Sequence, residues 1–370
     1  MNIESNIKFR EEIIKKQFKD ALGYELDLDN PKTFNEKLQW LKLYYHDPLM
    51  TKCADKYLVR DFIKDTIGED YLIPLLGVWD RVEDIDFDSL PNQFVLKVNW
   101  GSGQNIIVKD KSQLDIDDAK RKLREWMKPY SNHYYFSYEY CYKNIVPKII
   151  CEEYIDMCNI GLFLFRFSSF NSSIRYITLD FIKNDEIKSI HLDENFNLFN
   201  IKRKFDILEG TISKPKNYEK CLYIAHKLSN IFPHVRVDLY CIGDTIKFSE
   251  LTFYQGAGLS PFNPIDWDYK FGEMLELPKE KKIEYDFIDR ETVLRGYLNL
   301  EPLVKEVRDL EFTLSSKDHS ISILSEELNS LKHKEIKRSF ILFGLNILEN
   351  YINIYILGFK ISIKKNKNKA

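Results

Sequence analysis

The segment FVLKVNWGSGQNIIVK, residues 94–109, carries the residue types that bind a polyphosphate. Lys97 and Lys109 stand on either side of a glycine-rich turn whose backbone N–H groups are exposed to a ligand. The turn consists of Gly101, Ser102 and Gly103. Glycine lets the main chain approach phosphate oxygens in conformations that a Cβ would obstruct. These residues predict a phosphate-binding loop, and the alternative is a turn that only joins two strands.

Two carboxylates of a predicted hairpin form a second candidate site. Asp238 and Glu250 lie in two β-rich runs that a Gly-Asp turn at residues 243–244 joins. Each acid stands in an apolar alternation, so both are expected on one face, offering Mg²⁺ the carboxylate oxygens that it prefers. Arg236 shares that face and has the geometry to bind a phosphate bidentately. The alternative is an ordinary Arg236–Glu250 salt bridge on a solvated face.

A third candidate is the acidic pair Glu152 and Glu153 in KIICEEYID. Successive strand residues point to opposite faces, so one of the two is expected to be buried while the other meets solvent. The buried carboxylate would accept hydrogen bonds from a nucleotide base or ribose. The alternative is a solvated pair.

Both helices and strands are needed to position these residues. Helical spacing covers Ser5 to Leu22, Phe34 to Leu43, Lys52 to Ile67, Asp117 to Met127 and Tyr218 to Phe232. Strand-like runs are Tyr71 to Val78, Phe94 to Val98, Asn105 to Val108, Lys148 to Ile155, a β-rich stretch from Gly161 to Leu192, and the hairpin. This order predicts an α+β protein with a substantial antiparallel component rather than a doubly wound sheet.

The composition is typical of a soluble protein with several domains. At 370 residues the chain exceeds the roughly 100 to 200 residues of one domain. A net charge of −3 gives no case for general nucleic-acid binding. The first twenty residues are charged throughout and lack an apolar core, which predicts neither a signal peptide nor a membrane span, and hence a cytoplasmic protein.

The cysteines are scattered and lack a Cys-x-x-Cys pair. They stand at positions 53, 141, 151, 158, 221 and 241. The pattern predicts small buried hydrophobic residues in a reducing compartment, without structural disulfides or zinc.

The linear order of the three candidate sites resembles that of an ATP-grasp enzyme. More closely, TFNEKLQWLKLYYHDPLMTKCADKYLVRDFI, YLIPLLGVWD, HVRVDLY and FSELTFYQGAGLSPFNPIDWDYKFGEML resemble the TupA-type ATP-grasp amidoligases of bacterial surface polysaccharide and teichuronopeptide synthesis. The resemblance covers roughly residues 30–278. Proteins of this type are also labelled glycosyltransferases, so a polysaccharide glycosyltransferase is the alternative.

The resemblance implies three ATP-grasp subdomains. They are an N-terminal domain at 1–93, a central lid domain at 94–156 and a C-terminal domain at 157–290. It also implies ATP and Mg²⁺ as cofactors, with Lys97 and Arg236 as catalytic residues. The implied nucleotide-binding residues are Lys97, Gly101, Ser102, Gly103, Lys109, Glu152, Glu153, Tyr154 and Ile155, and the implied metal ligands are Asp238 and Glu250.

The implied reaction is ATP-dependent activation of a carboxylate to an acyl phosphate, followed by attack of an amine to give an amide, ADP and phosphate. The resemblance implies a uronic acid or an acidic peptide of a surface glycan as the carboxylate and an amino acid as the amine. No nucleophilic Ser, Cys or His is expected.

Two departures from the family pattern bear on catalysis. Thr252 stands where many ATP-grasp enzymes have a metal-binding Asn, which argues against a second metal. Cys158, Asn159 and Ile160 stand where family members have a nucleotide-binding lysine. Arg166 and Lys56 are the candidates to replace it. A degenerate ATP-grasp protein that binds nucleotide and serves as a scaffold is therefore a third hypothesis.

The C-terminal part differs in character. Apolar residues between Leu303 and Leu331 keep a heptad register, with a gap at Lys317, which predicts a coiled-coil helix at 300–338 and hence a homodimer or a partner helix. The alternative is a helix packed on its own domain. Residues 339–370 form a basic apolar tail suited to an anionic membrane surface at the inner face of the membrane, or to a solubilising role. From Lys332 onwards nine Lys or Arg stand against two Glu.

Overall fold

The computed structural model describes residues 3–128, 131–156, 163–183, 186–201, 213–284, 343–347, 351–356 and 359–364. The chain divides into two compact units, one of residues 11–284 and one of residues 1–10 with 285–370. The predicted coiled coil at 300–338 lies outside the described residues. Among the described residues, no helix combines the length and the apolar character that crossing a bilayer requires.

Eight helices are described in residues 3–284. They are α1 (Ile3–Leu22), α2 (Phe34–Tyr44), α3 (Pro48–Ala54), α4 (Val59–Thr66), α5 (Ile116–Trp126), α6 (Tyr134–Ser137), α7 (Tyr218–Ser229) and α8 (Asp266–Met274). Side-chain caps set several of their starts. Thr33 and Glu36 form a capping box at α2, and Asp47 caps α3, whose first residue is Pro48.

The prediction of one helix from Lys52 to Ile67 is wrong, because Asp55 interrupts it. The Asp55 carboxylate accepts hydrogen bonds from the N–H groups of Tyr57 and Leu58, at 2.8 and 3.1 Å. A local side-chain bond of this kind competes with helical hydrogen bonding and favours a turn. Helix α3 therefore ends at Ala54 and α4 begins at Val59, with Lys56 in the break between them.

The first sheet contains the strands of the predicted lid domain at 94–156 together with one earlier strand. Its strands are β1 (Leu75–Trp79), β2 (Phe94–Val98), β3 (Asn105–Val108) and β4 (Ile149–Glu153), in the antiparallel order β1-β4-β2-β3. Phe94 and Leu96 of β2 and Cys151 of β4 pack into one core with Leu123 of α5. The opposite face carries Lys97 and the other residues that alternate with this core. Strand β1 belongs to this sheet, which therefore begins before the predicted boundary at residue 94.

The second sheet carries the hairpin acids. Its strands are β5 (Phe163–Phe170), β6 (Ser173–Lys183), β7 (Glu186–Leu192), β8 (His234–Ile242) and β9 (Thr245–Thr252), in the antiparallel order β7-β6-β5-β8-β9. Helix α7 packs on it through buried Tyr218, Ile224 and Leu228. The predicted antiparallel α+β organisation is confirmed. The hairpin turn is as predicted, with Gly243 at a φ of 55°, where glycine carries no steric penalty.

The tail contains strands. They are β10 (Phe343–Ile347), β11 (Tyr351–Ile356) and β12 (Phe359–Lys364), which pair antiparallel in that order. The described cysteines at 53, 141, 151, 221 and 241 are buried and free, whereas Cys158 lies outside the described residues.

Candidate functional site

In the first sheet, the face opposite the apolar core places Lys97 beside Glu152. In the β2–β4 register Lys97 is opposite Ile150 and Val95 is opposite Glu152, so the two charged side chains are diagonal neighbours on one face. Lys97 Nζ lies 2.5 Å from Glu152 Oε2, and the two side chains are only 16% and 9% exposed. Burial lowers the pKa of Lys97, but the Glu152 carboxylate outweighs burial and holds that pKa above its usual value.

Glu152 has a second cationic partner, Arg60 of α4. Arg60 Nη1 lies 3.4 Å from Glu152 Oε1, so the carboxylate is held from two sides. Arg60 also lines an open cavity of about 490 Å³, together with Leu72, Pro74 and Lys247. The expectation that one acid of the pair is buried and the other exposed is confirmed, since Glu152 is 7% exposed and Glu153 is exposed.

The glycine-rich turn connects β2 to β3 at the end of the sheet next to Lys97. Gly103 has a φ of 71°, in the left-handed region that favours glycine. A Cβ on Gly101 would come within 2.6 to 2.8 Å of Gln104 and Val98 side-chain atoms, so a side chain there would displace the turn. Ser102 and Gly103 are exposed, and the Gly101 carbonyl accepts a hydrogen bond of 2.8 Å from Lys56 Nζ.

The structure does not bring Lys109 to this turn. Lys97 is opposite Asn105 at the turn end of the hairpin, whereas Phe94 is opposite Val108 at the other end, and Lys109 follows Val108. Four strand residues span roughly 13 Å, so the antiparallel register separates the two lysines. The expectation that both lysines flank the turn is therefore corrected: Lys97 lies at the turn and the exposed Lys109 lies away from it.

Three predicted residues lie at the end of β4. Glu153 is the last residue of the strand, and its N–H donates to Pro74 O at 3.1 Å. Tyr154 and Ile155 follow the strand and are half-buried. The segment of the missing family lysine, Cys158 to Ile160, lies outside the described residues.

The hairpin acids face each other across β8 and β9. Asp238 is directly opposite Glu250, because the register shifts by one residue between Asp238 and Leu239; the turn alone would place Asp238 opposite Ser249. Arg236 donates to both Asp238 oxygens, through Nε to Oδ1 at 2.7 Å and through Nη2 to Oδ2 at 2.6 Å. The same Nη2 donates to Glu250 Oε1 at 3.0 Å. The salt bridge considered as an alternative therefore exists, on a face that is only partly solvated, since the Arg236 side chain is 15% exposed and the Glu250 side chain 32%.

Further polar side chains extend this cluster over the sheet face. Thr252 donates to Glu250 Oε1 at 3.1 Å, and Lys56 Nζ lies 3.4 Å from Glu250 Oε2. Arg166 of β5 lies 2.6 Å from Asp180 and 3.8 Å from Asp238. The three acids of the face, Asp180, Asp238 and Glu250, are therefore each paired with a cation.

The two hairpin acids differ in acidity. Burial raises the pKa of Glu250, but Lys56, Arg236 and the Thr252 hydroxyl outweigh burial and hold the pKa at about 2. Burial is also the largest influence on Asp238, and it raises the pKa of that group despite the Arg236 pair. Glu250 is thus the stronger acid of the two and stays ionised well below neutral pH.

The depressed pKa of Glu250 predicts a specific loss of stability in acid. Its stabilising effect is fully present above the usual pKa of 4.5 and is lost as the pH falls toward about 2. We expect the unfolding free energy of Glu250→Gln, measured with urea, to differ from that of the native protein by a constant amount above pH 5. The difference shrinks as the pH falls from 4.5 to about 2. The control Asp244→Asn removes the exposed acid of the turn. If the difference between Glu250→Gln and the native protein already shrinks near pH 7, the depressed pKa of Glu250 is contradicted.

The donor chemistry of this pair fits Mg²⁺. The Asp238 and Glu250 carboxylates lie side by side on neighbouring strands. Arg236 Nη2 contacts both of them, so the space between them already contains a positive charge. Mg²⁺ prefers carboxylate oxygens and completes its shell with phosphates and waters. Among the described residues, no cluster of three or more Asp, Glu, His or Cys side chains is suited to a metal.

One sheet thus carries a lysine and a glycine-rich turn, and the other carries paired acids. A comparison with protein families agrees with this arrangement. The family model described as TupA-like ATPgrasp matches residues 36–276, more than half of the chain. The chain belongs to the TupA-like ATP-grasp family. The predicted family and fold are thereby confirmed, and membership of the TupA-like family supports the predicted use of ATP.

Several solved ligase structures are similar to this chain at low identity. The chain is similar to D-alanine-D-alanine ligase from Helicobacter pylori, with 14% identity, a TM-score of 0.34 and coverage of 61% of both chains. It is also similar to the ATP complex of D-alanine--D-alanine ligase from Bacillus anthracis, with 16% identity, a TM-score of 0.37 and coverage of 59% of this chain and 62% of that one.

A third similar structure is the L-amino acid ligase from Bacillus licheniformis. The identity is 14%, the TM-score is 0.35, and the match covers 67% of this chain and 54% of that one. The TupA-like chain thus spans less than two thirds of the length of each of these proteins. A comparison with curated proteins gives no match.

The sequence analysis did not identify Arg60 as a site residue, and it named Lys56 only as one of two candidates to replace the missing family lysine. Arg60 lies in α4 and reaches Glu152, about 90 positions further along the chain, while Lys56 lies in the break before α4 and reaches Glu250, about 190 positions further. No local pattern identifies the acids that they meet.

Proposed function

We propose that the protein is an ATP- and Mg²⁺-dependent ligase that joins a carboxylate to an amine. The observation that carries the proposal is the cluster in which Arg236 Nη2 bridges Asp238 and Glu250, beside Lys56. Such a site offers a place for one divalent cation and positive charge for phosphoryl oxygens. Membership of the ATP-grasp family supports the assignment of ATP as the phosphoryl donor.

The residues divide into three groups by role. Lys97 and the turn residues Gly101, Ser102 and Gly103 bind the phosphates, while Lys109 is at most a peripheral contact. Glu152, Glu153, Tyr154 and Ile155 line the adenine and ribose pocket, and Asp238 and Glu250 would hold Mg²⁺. When bound there, the ion would offset negative charge on the transferring phosphoryl group.

The chemistry proceeds in two displacements. A substrate carboxylate oxygen bonds to the γ-phosphorus of ATP while the bond to ADP breaks, which gives an acyl phosphate. The amine nitrogen then bonds to the acyl carbon, phosphate leaves, and the nitrogen loses a proton. Arg236, once its guanidinium turns from the acids to the acyl phosphate, stabilises the negative charge there, and the 101–103 turn covers the site to exclude water.

The proposed substrates are components of a bacterial surface polysaccharide. A uronic acid or an acidic peptide supplies the carboxylate and an amino acid supplies the amine, an assignment supported by the resemblance to TupA-type amidoligases. The basic residues after 332 suit contact with an anionic membrane surface, close to lipid-linked substrates, and the 300–338 heptads suit a dimer. The proposed location is the cytoplasm, at the inner face of the membrane.

Release of ADP tests the ligase proposal. We expect ADP from ATP and Mg²⁺ only when a uronic acid or an acidic peptide and an amino acid are present together. Consumption of a nucleotide-sugar without use of ATP would favour the glycosyltransferase alternative. Binding of ATP with no turnover across the whole screen would favour the scaffold alternative.

A further inference from the structure

A buried lysine lies on α2, where this helix packs against the loop that follows β9. Lys42 is only 2% exposed. Its Nζ donates to Gln39 Oε1 at 3.0 Å and to Ala257 O at 2.5 Å, and both of these acceptors are neutral. Burial of an ammonium group costs free energy, so a neutral donor would satisfy the same two oxygens at a lower cost.

The Ala257 carbonyl does not need Lys42 in order to be hydrogen-bonded. Gln39 Nε2 donates to Ala257 O at 3.0 Å and to Gly258 O at 2.7 Å. Ala257 O would therefore keep a donor if Lys42 were lost. What Lys42 adds is a charge-assisted hydrogen bond, which is roughly twice as strong as a neutral one.

The segment that Lys42 holds, the 255–258 turn, has a strained backbone. Its last three residues have φ values of 58°, 55° and 60°, and the middle one is Ala257. A left-handed φ costs alanine free energy that glycine does not incur. The charge-assisted bond thus acts on the carbonyl of the residue that bears the strain.

One side chain connects the 255–258 turn to the strand position opposite Arg236. Gln255 Oε1 accepts a hydrogen bond of 3.2 Å from Ser168 Oγ, and Ser168 is directly opposite Arg236 in the β5–β8 register. Gln255 and Ser168 are 6% and 1% exposed. A displaced turn would therefore disturb the packing beside the guanidinium that turns to the acyl phosphate in the proposed reaction.

We propose that Lys42 is a positioning residue of the ligase, whose charge holds the 255–258 turn in its left-handed conformation and so fixes Gln255 beside the Arg236 position. The proposal rests on the proposed function and gives Lys42 no contact with nucleotide or metal. Loss of the charge should loosen the turn and slow turnover. Nucleotide binding should be kept, because Lys97 and the glycine-rich turn belong to the other sheet.

Amide hydrogen exchange on the full chain, followed by mass spectrometry, measures the turn directly. The Ala257 N–H donates to Tyr254 O at 2.8 Å and the Leu259 N–H donates to Gly256 O at 2.9 Å, so exchange at these amides reports opening of the turn. For Lys42→Met we expect exchange in residues 254–259 to accelerate by about 10- to 100-fold, the effect of one lost hydrogen bond to a charged group. ADP release should slow by a similar factor.

A second substitution separates positioning from general support of the fold. Ala257→Gly removes the left-handed penalty, so adding it to Lys42→Met should restore at least about fivefold of the lost turnover and slow the exchange again. Lys37→Met is the matched control, because Lys37 lies on the same helix and donates to Gly272 O and Leu275 O, both at 2.7 Å, at the end of α8. It should leave exchange of the turn and turnover native-like.

The charge of Lys42 gives an independent readout. Burial lowers the pKa of Lys42 to about 8, although the nearby Glu139 carboxylate and Cys141 thiol oppose this shift. The charge is therefore present below pH 8 and lost above it. Lys42→Gln keeps a donor without the charge, so the ratio of native turnover to Lys42→Gln turnover should fall toward one between about pH 7 and about pH 9.5. The ratio cancels the titration of the substrates, and Lys42→Gln also replaces Lys42→Met in the exchange experiment if that variant folds poorly.

Each outcome supports or overturns the role of Lys42. Native-like exchange and turnover in Lys42→Met and Lys42→Gln would overturn it and leave the ligase proposal intact. Slow turnover without faster exchange, or without recovery in the double variant with Ala257→Gly, would also overturn it. Absence of ADP release from the native protein across the substrate screen would overturn the proposed function and the positioning role with it.

Discussion

Replacement of Lys97 with alanine is expected to weaken binding of Mg²⁺-ATP by at least ~100-fold, since a buried charge pair loses one member. Lys97 is 16% exposed and contacts Glu152 at 2.5 Å. Without the lysine, the negative charge of Glu152 loses its nearest cation and repels the anionic nucleotide bound beside it. The variant therefore loses a phosphate contact and gains a repulsion, and calorimetry with Mg²⁺-ATP measures the sum.

Lys109→Ala is the matched control for this experiment. It removes a lysine of the same hairpin that the register places at the end away from the turn, and we expect at most a twofold effect on affinity, as for one screened surface charge. The double variant Lys97→Ala with Glu152→Gln should recover part of the lost affinity, because the repulsion is removed. Equal losses for Lys97→Ala and Lys109→Ala would contradict the placement of the site.

The second large effect is expected on turnover. Glu250→Gln preserves shape but removes the charge that faces Asp238, and we expect ADP release to slow by ~1,000-fold, the scale of a lost metal-assisted charge stabilisation. The amide of Gln is a poorer ligand for Mg²⁺ than a carboxylate. The rate should not be restored by raising Mg²⁺ alone to saturation, because the lost charge also sets the position of Arg236.

Asp244→Asn is the control for that variant, since it removes the exposed carboxylate in the turn of the same hairpin. It should retain turnover within a fewfold of the native rate. A native-like rate in Glu250→Gln would show that this carboxylate does not hold the catalytic metal. In that case, loss of turnover in Asp238→Asn would indicate a metal site built on Asp238 alone. Retained turnover in Asp238→Asn would indicate a metal site elsewhere.

The hairpin could be predicted from the sequence because the Gly243 turn and the β-rich runs beside it are local signals. The facing of Asp238 and Glu250 also needs a register shift of one residue between Asp238 and Leu239, which the turn and a period of two do not give. Strand alternation did separate buried Glu152 from exposed Glu153, because they are successive residues of one strand.

Other features depend on contacts that no local pattern encodes. The position of Lys109 follows from the full β2–β3 register, not from its distance in sequence from the turn. The break at Asp55 depends on its competition with helical bonding and on the buried Asn99 side chain that it meets. Lys56 and Arg60 find their acids only after the N-terminal helices pack against both sheets.

Calorimetric titration of the native protein with ATP, with and without Mg²⁺, beside Lys97→Ala and Glu250→Ala, tests the central claim most directly. The account predicts saturable binding that needs Mg²⁺ and is lost in both variants. Binding that is absent in the native protein, or that is unchanged without Mg²⁺ and in Glu250→Ala, would contradict an ATP-grasp site built on these residues.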